Sequence, residues 1–208
     1  MNYLKFFFSI NLLLISMNCA AQNIDINLLK SINQNGSAFK NDLSKTVSTS
    51  VTVVNIAAPL TILTVGLANH DKKLQKDAAY MAGGYLLSTI ITQGTKRIVQ
   101  RDRPYVSYPF IIRRVEESGY SFPSGHTSSA FYSAASLSLL YPKWYVIAPA
   151  FLWAGTVGWA RMYEGVHYPS DVFVGAIVGA GSAWITYKVQ KCMDKRSAAK
   201  KAAKPAGL

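Results

Sequence analysis

The chain has 208 residues and a mass of 22.8 kDa, room for one domain with a sizeable core but hardly for two. Charged residues make up 15% and apolar residues 50%. Soluble domains average roughly 25% charged, so a disordered tail protein, a long coiled coil and an ordinary hydrophilic enzyme are excluded. The formal net charge is +12, but residues 188–208 carry seven basic side chains against one acidic, half of the excess. No aromatic-interleaved basic face or nucleic-acid motif accompanies that charge, so no nucleic acid is expected as a partner.

Residues 1–21 read as an export signal: Lys5 supplies the positive start, Phe6 to Met17 the apolar stretch, and Cys19-Ala20-Ala21 the small residues before a cut. The alternative is an uncleaved first membrane helix. Cys19 and Cys192 are the only cysteines, so no disulfide framework is expected. Residues 22–46 are loosely amphipathic, with Ile24, Ile26, Leu28, Leu29 and Ile32 among polar residues, and suggest a surface or interfacial helix.

Five stretches then lack Asp, Glu, Lys and Arg: Thr46–Asn69, Ala78–Thr95, Ser118–Pro142, Trp144–Ala160 and Val172–Tyr187. No period-two alternation marks a strand. The runs predict helices over 48–68, 78–96, 125–141, 144–160 and 171–189. The fold class is therefore all-α, a bundle of five mostly transmembrane helices, or six if the signal is retained. The helical core is set at 47–190, and 191–208 is a basic cytoplasmic tail touching anionic lipid.

With the mature amino terminus outside, Lys72, Lys73, Lys76, Lys143 and the tail fall inside, as the positive-inside tendency requires. The loops 96–117 and 161–170 fall outside, yet they carry Lys96, Arg97, Arg101, Arg103, Arg113, Arg114 and Arg161. A phosphate site accounts for that exception.

Three segments carry the unusual residues: Lys96 with Arg103-Pro104; Pro123-Ser124-Gly125-His126; and Arg161, His167 and Asp171. Alternation of helices brings all three to one end of the bundle. Lys96, Arg103 and Arg161 would offset the charge of a phosphate ester, the arginines in bidentate fashion. Ser124 would cap a helix whose first amides, including Gly125, face an anion. His167 is a competent nucleophile if Asp171 holds its other nitrogen. His126 would protonate the leaving oxygen and then deprotonate water.

These segments resemble the signatures of the type 2 phosphatidic acid phosphatase superfamily, which also includes bacterial acid phosphatases and vanadium haloperoxidases. The resemblance covers about Lys96 to Asp171 by motif. It implies that the residue at His167 takes the phosphoryl group, that Asp171 orients it and that His126 is the acid. It also implies that Lys96, Arg103, Ser124, Gly125 and Arg161 bind phosphate. One departure is visible: Ala160 stands where the family often has Ser, at the cost of a hydrogen bond.

The expected function is metal-independent hydrolysis of a lipid phosphate, with no cofactor, at the outer face of a bacterial inner membrane. Candidate substrates by resemblance are undecaprenyl pyrophosphate, phosphatidylglycerophosphate, phosphatidic acid and a lipid A phosphate. The alternatives are a soluble exported acid phosphatase and an inactive phospholipid-binding or transport protein. Glu164 is expected at the surface, His70 solvated and Cys192 idle. Tyr105, Tyr108, Tyr120, Tyr163 and Tyr168 on one side, with Tyr141, Trp144 and Tyr145 on the other, suggest aromatic belts.

Overall fold

A computed structural model describes residues 24–202, so the export-signal reading lies outside the described residues. Residues 24–34 form helix α1. It is followed by α2 (Ala38–Ala68), α3 (Lys72–Val99), the single turn α4 (Pro104–Ser107), α5 (Gly125–Leu140), α6 (Trp144–Tyr163) and α7 (Pro169–Ala202). Among the described residues there is no strand. All five helices expected from the charge-free runs are present. Two extend well past them: α2 starts ten residues before 48, and α7 continues into the basic segment, because Lys, Arg and Ala are good helix formers.

Helix α5 is the axis of the bundle. It packs against α2, α3, α6 and α7, which close a ring around it. Its sequence explains that position, since Ala and Ser dominate and no large aliphatic side chain interrupts residues 125–136. A helix enclosed on all sides needs small side chains and internal partners for its hydroxyls. Ser128 bonds Ser88 at 2.8 Å and accepts from Thr92 at 3.0 Å, while Ser133 donates to Asn55 at 2.7 Å.

The α5–α7 contact is closest because Gly175 and Gly179 face α5 at a four-residue spacing. A Cβ at Gly175 would lie 2.7 Å from the Ser124 carbonyl oxygen, and one at Gly179 would lie 2.1 Å from that of Ser128. Any larger residue would push the two backbones apart. The start of α5 is thereby held beside the start of α7, where the Ser124 amide donates to the Asp171 carbonyl at 3.0 Å.

The large apolar side chains point outward instead. Ile56 and Leu60 on α2, Leu86 and Ile90 on α3, Leu152 on α6, and Phe173, Ile177 and Trp184 on α7 are all more than half exposed, whereas α5 exposes none. Surfaces this apolar do not face water, and the distribution is that of a membrane protein. Among the described residues, two helices, α2 and α7, are long and apolar enough to cross a membrane.

Helix α1 lies at the end of the bundle where α3 and α6 finish and α5 and α7 begin. It exposes Ile24 and Leu28 and buries Leu29 and Asn33 completely. Leu29 packs with Ile26, Ile111 and Tyr168, and Asn33 donates to the carbonyls of Ile112 (2.8 Å) and Tyr163 (2.9 Å).

Candidate active site

The three sequence segments meet at this end of the bundle. Ser121 joins the first to the second: its amide donates to the Arg101 carbonyl at 2.8 Å, and its hydroxyl to that of Asp102 at 3.0 Å. The amide-to-carbonyl bond from Ser124 to Asp171 joins the second to the third. Lys96, Arg103, Gly125, His126 and His167 line one cavity of about 490 Å³. Both histidine rings thus open on the same space.

His167 sits just before α7. The chain arrives there through a tight turn at Gly165, where φ is +76° and a Cβ would lie 2.5 Å from the Ile112 carbonyl oxygen. Only glycine suits that combination. Pro169 opens α7 and Asp171 lies in its first turn, so the Asp171 carboxylate folds back toward the imidazole. His167 Nδ1 is 3.5 Å from Asp171 Oδ2, and His167 Nε2 is 3.5 Å from an Arg103 Nη. Nδ1 therefore faces the carboxylate and Nε2 faces the cations of the cavity.

Burial pushes the His167 imidazole down to about 3, against the opposing pull of Asp171. With an Arg103 N–H aimed at Nε2 and a carboxylate facing Nδ1, the neutral ring with its proton on Nδ1 is the form that suits this arrangement. Asp171 is fully buried, and its carboxylate also accepts from the Tyr168 amide at 2.9 Å and from Arg101 at 2.7 Å.

The cations are held by carbonyls as much as by carboxylates. Arg103 donates to Gly119 (3.0 Å), Ser118 (2.8 Å) and Val166 (3.0 Å). Its remaining donors face His167 Nε2 and the Glu117 carboxylate, 3.7 Å away. Lys96 Nζ donates to the carbonyls of Tyr120 and Ser121. Ser124 is fully buried, and its hydroxyl caps α5 by accepting from the Thr127 amide and hydroxyl. A cap of this kind contributes about 1 kcal/mol. A Cβ at Gly125 would meet only Thr92, at 3.9 Å. Protein packing therefore leaves room in front of the α5 amides.

One carboxylate departs from expectation and another was not foreseen. Glu164 is not a surface residue: it is fully buried at the end of α6, where it accepts from Arg161 at 2.7 Å and from Ser48 of α2 at 2.9 Å. It lies three residues after Arg161, so both emerge on one face of the helix, turned inward. Burial pushes the Glu164 carboxyl up, with Arg161 and Ser48 opposing.

Glu117, which the sequence did not single out, accepts from the other arm of Arg161 at 2.5 Å. Burial pushes the Glu117 carboxyl up, but Arg161, His126 and Arg103 outweigh it and hold it below the usual carboxylate range. Arg161 is thus clamped between two carboxylates, while its buried Nε has no partner among the described residues. Ala160 beside it is fully buried and offers no hydroxyl.

Two of the outer tyrosines are also interior groups. Tyr163 and Tyr168 are buried, under the guanidiniums of Arg114 and Arg101 respectively. Trp144 and Tyr145, at the opposite end, are largely exposed.

The cavity does not stop at the polar end. It runs between α2 and α3, past Val51 and Thr52 on one side and Tyr85, Thr89 and Thr92 on the other. Tyr85 lies three turns of α3 below Lys96, about 16 Å along the axis at 1.5 Å per residue. The space joins a cationic head to a neutral channel between two helices whose outer faces are apolar.

Known proteins share both the sequence pattern and the architecture. The lipid A 4'-phosphatase of Bacteroides thetaiotaomicron is 33% identical over 103 residues, covering 50% of this chain and 46% of that protein. The undecaprenyl-diphosphatase of Sulfolobus acidocaldarius is 27% identical over 120 residues, covering 57% of this chain and 58% of that protein. The chain thus spans about half the length of these curated relatives. Among solved structures, Aquifex aeolicus LpxE superposes with a TM-score of 0.70 at 26% identity, covering 79% of this chain and 95% of that one. The PAP2 superfamily model matches residues 77–192, which includes most of α3 and all three motif segments. With more than half of its length matched and its helical bundle shared with a solved relative, the chain belongs to the PAP2 superfamily.

Proposed function

We propose that this protein is a membrane phosphatase that hydrolyses a lipid phosphate monoester or pyrophosphate through a phosphohistidine at His167. The observation that carries this reading is the single cavity in which a buried, carboxylate-backed imidazole faces a second histidine, Lys96 and Arg103. His167 Nε2 attacks phosphorus as the bond to the leaving oxygen breaks, and His126 donates its proton to that oxygen. Water then attacks the phosphohistidine, His126 takes its proton, and inorganic phosphate leaves with His167 restored. Lys96, Arg103, Arg161 and the first amides of α5 follow the charge on the equatorial oxygens. Asp171 keeps the His167 proton on Nδ1.

The neutral extension of the cavity along α2 and α3 favours a lipid over a small soluble ester, because it leaves space beyond the cationic head for the start of an acyl or isoprenoid chain. We place the chain in a bacterial inner membrane as a multi-pass protein with the site outside. Lys72, Lys73, Lys76, Lys143 and the basic end of α7 gather at the opposite end, the arrangement favoured for the cytoplasmic side.

The test is phosphate release by purified protein from phosphatidic acid, phosphatidylglycerophosphate, undecaprenyl pyrophosphate and lipid A. Turnover of at least one is expected, inhibited by vanadate and indifferent to EDTA. Activity confined to small soluble monoesters, in a protein released from membranes by carbonate, would replace this reading with that of an exported acid phosphatase.

Glu117 adds a further expectation. Its carboxylate pairs with Arg161 and Arg103, the groups a phosphate would engage, so it competes with the ligand for them. The side chain is about one-quarter exposed, which screens the effect. Glu117→Gln is expected to tighten vanadate inhibition by roughly 3- to 10-fold. Weaker inhibition would show that Glu117 instead holds the arginines in their binding geometry.

A further inference from the structure

Beside the cavity lies a second cluster of ionised groups, built from α1, the segment after α3 and the start of α7. Arg101 is its centre. One Nη donates to Asp171 Oδ1 at 2.7 Å and to the Ser170 hydroxyl at 2.7 Å, and the other donates to Asp25 Oδ2 at 2.9 Å. Asp25 in turn accepts from the Ser170 amide at 2.8 Å and from its hydroxyl. The guanidinium lies over the Tyr168 ring, its Cζ 3.7 Å from the ring centre. Asp25 and Asp171 are both buried. The superfamily match begins at residue 77, so α1 lies outside the matched segment.

From this geometry we infer that α1 is a working part of the site: Asp25 and Arg101 are positioning residues that hold the Asp171 carboxylate in register with His167. The inference rests on the phosphohistidine reading above.

The carboxylate of Asp171 has two oxygens with different tasks. Oδ2 accepts from the Tyr168 amide and faces His167 Nδ1. Left to itself, a carboxylate rotates freely about its terminal torsion. Arg101 fixes it by occupying Oδ1. A guanidinium bound to Asp171 alone would also draw charge away from the oxygen that must hold the imidazole proton. Asp25 counters this, because it shares the same guanidinium and anchors the first turn of α7 through Ser170. The fork geometry is needed, since the two arms reach carboxylates on different elements. Asn33 fastens the other end of α1 to the carbonyls of Ile112 and Tyr163, and Leu29 fills the space between. The helix is therefore strapped across the site at both ends.

The experiment compares Asp25→Asn, Arg101→Gln, Arg101→Lys and the Asp25→Asn/Arg101→Gln pair with the full-length wild type, on the lipid phosphate panel and with inorganic phosphate as the anion probe. Both single neutral variants are expected to lower kcat by about 10- to 100-fold, the scale on which supporting partners of a reactive side chain act. KM and competitive inhibition by inorganic phosphate should change less than about 3-fold, because the cations lining the cavity are untouched. Arg101→Lys should not restore kcat, since an ammonium cannot span both carboxylates. The double variant should be no slower than the worse single one, because the two residues act through one carboxylate.

Variants with wild-type kcat would overturn the inference while leaving the phosphatase reading intact. Loss of inorganic phosphate inhibition in parallel with kcat would also overturn it, by showing that the cluster only holds the fold together. If the wild type itself releases phosphate from no member of the panel, the phosphatase reading fails and this inference fails with it.

Discussion

His167→Ala is expected to lower phosphate release by at least about 10⁴-fold, the scale on which removal of a covalent nucleophile acts. The ring is buried but borders the cavity, its Nδ1 faces Asp171 and its Nε2 faces Arg103. No other nucleophile among the described residues has both a carboxylate behind it and the cationic cavity in front. The fold should survive, because the helices surrounding α5 are joined by contacts elsewhere along their length. A cavity left by one imidazole costs a few kcal/mol at most. The variant should therefore insert into membranes and still bind inorganic phosphate through the cations of the cavity, while kcat collapses. Retention of substantial turnover would remove His167 from the mechanism.

Asp171→Asn is expected to cost about 10³- to 10⁴-fold, for a different reason. The amide is nearly isosteric and keeps an oxygen for the Tyr168 N–H or for Arg101, but its NH₂ cannot accept a proton from His167. The imidazole then places its proton on Nε2, and the nitrogen facing phosphorus loses its lone pair. Arg101 also loses an ionised partner 2.7 Å away. The expected signature is a fall in kcat with little change in KM, together with slow accumulation of phosphoenzyme. A fall in affinity without a fall in kcat would assign Asp171 to substrate binding.

The sequence made the helices legible because charge-free runs coincide with residues that favour helix starts, such as Ser124 inside the third run, before α5, and Pro169 just ahead of the fifth, at the start of α7. The site was legible where spacing along one element fixes geometry. His167 and Asp171 are four apart at a helix start, and Lys96 and Arg103 flank the end of α3. What the sequence hid were partners distant along the chain. Asp25 meets Ser170 across 145 residues, and Ser48 meets Glu164 across 116. No local period records such a pairing.

Glu164 carried one overlooked signal, its place three residues after Arg161 on the same helical face. Glu117 carried none, since it sits in an irregular loop whose path is set by the carbonyls that Arg103 and Lys96 gather. Tyr163 and Tyr168 looked like interfacial aromatics because tyrosine is common there. Their place beneath two arginines follows from the folding of α1 and the 101–114 segment over them.

The central claim is that phosphorus passes through the ring of His167. Its most direct test is rapid quenching of the purified protein during turnover of a lipid substrate carrying labelled phosphate, followed by mapping of the label. We predict an acid-labile phosphoenzyme whose label maps to the peptide containing His167 and is absent from the His167→Ala protein. Label on any other residue, or phosphate release at wild-type speed with no labelled enzyme, would contradict the account.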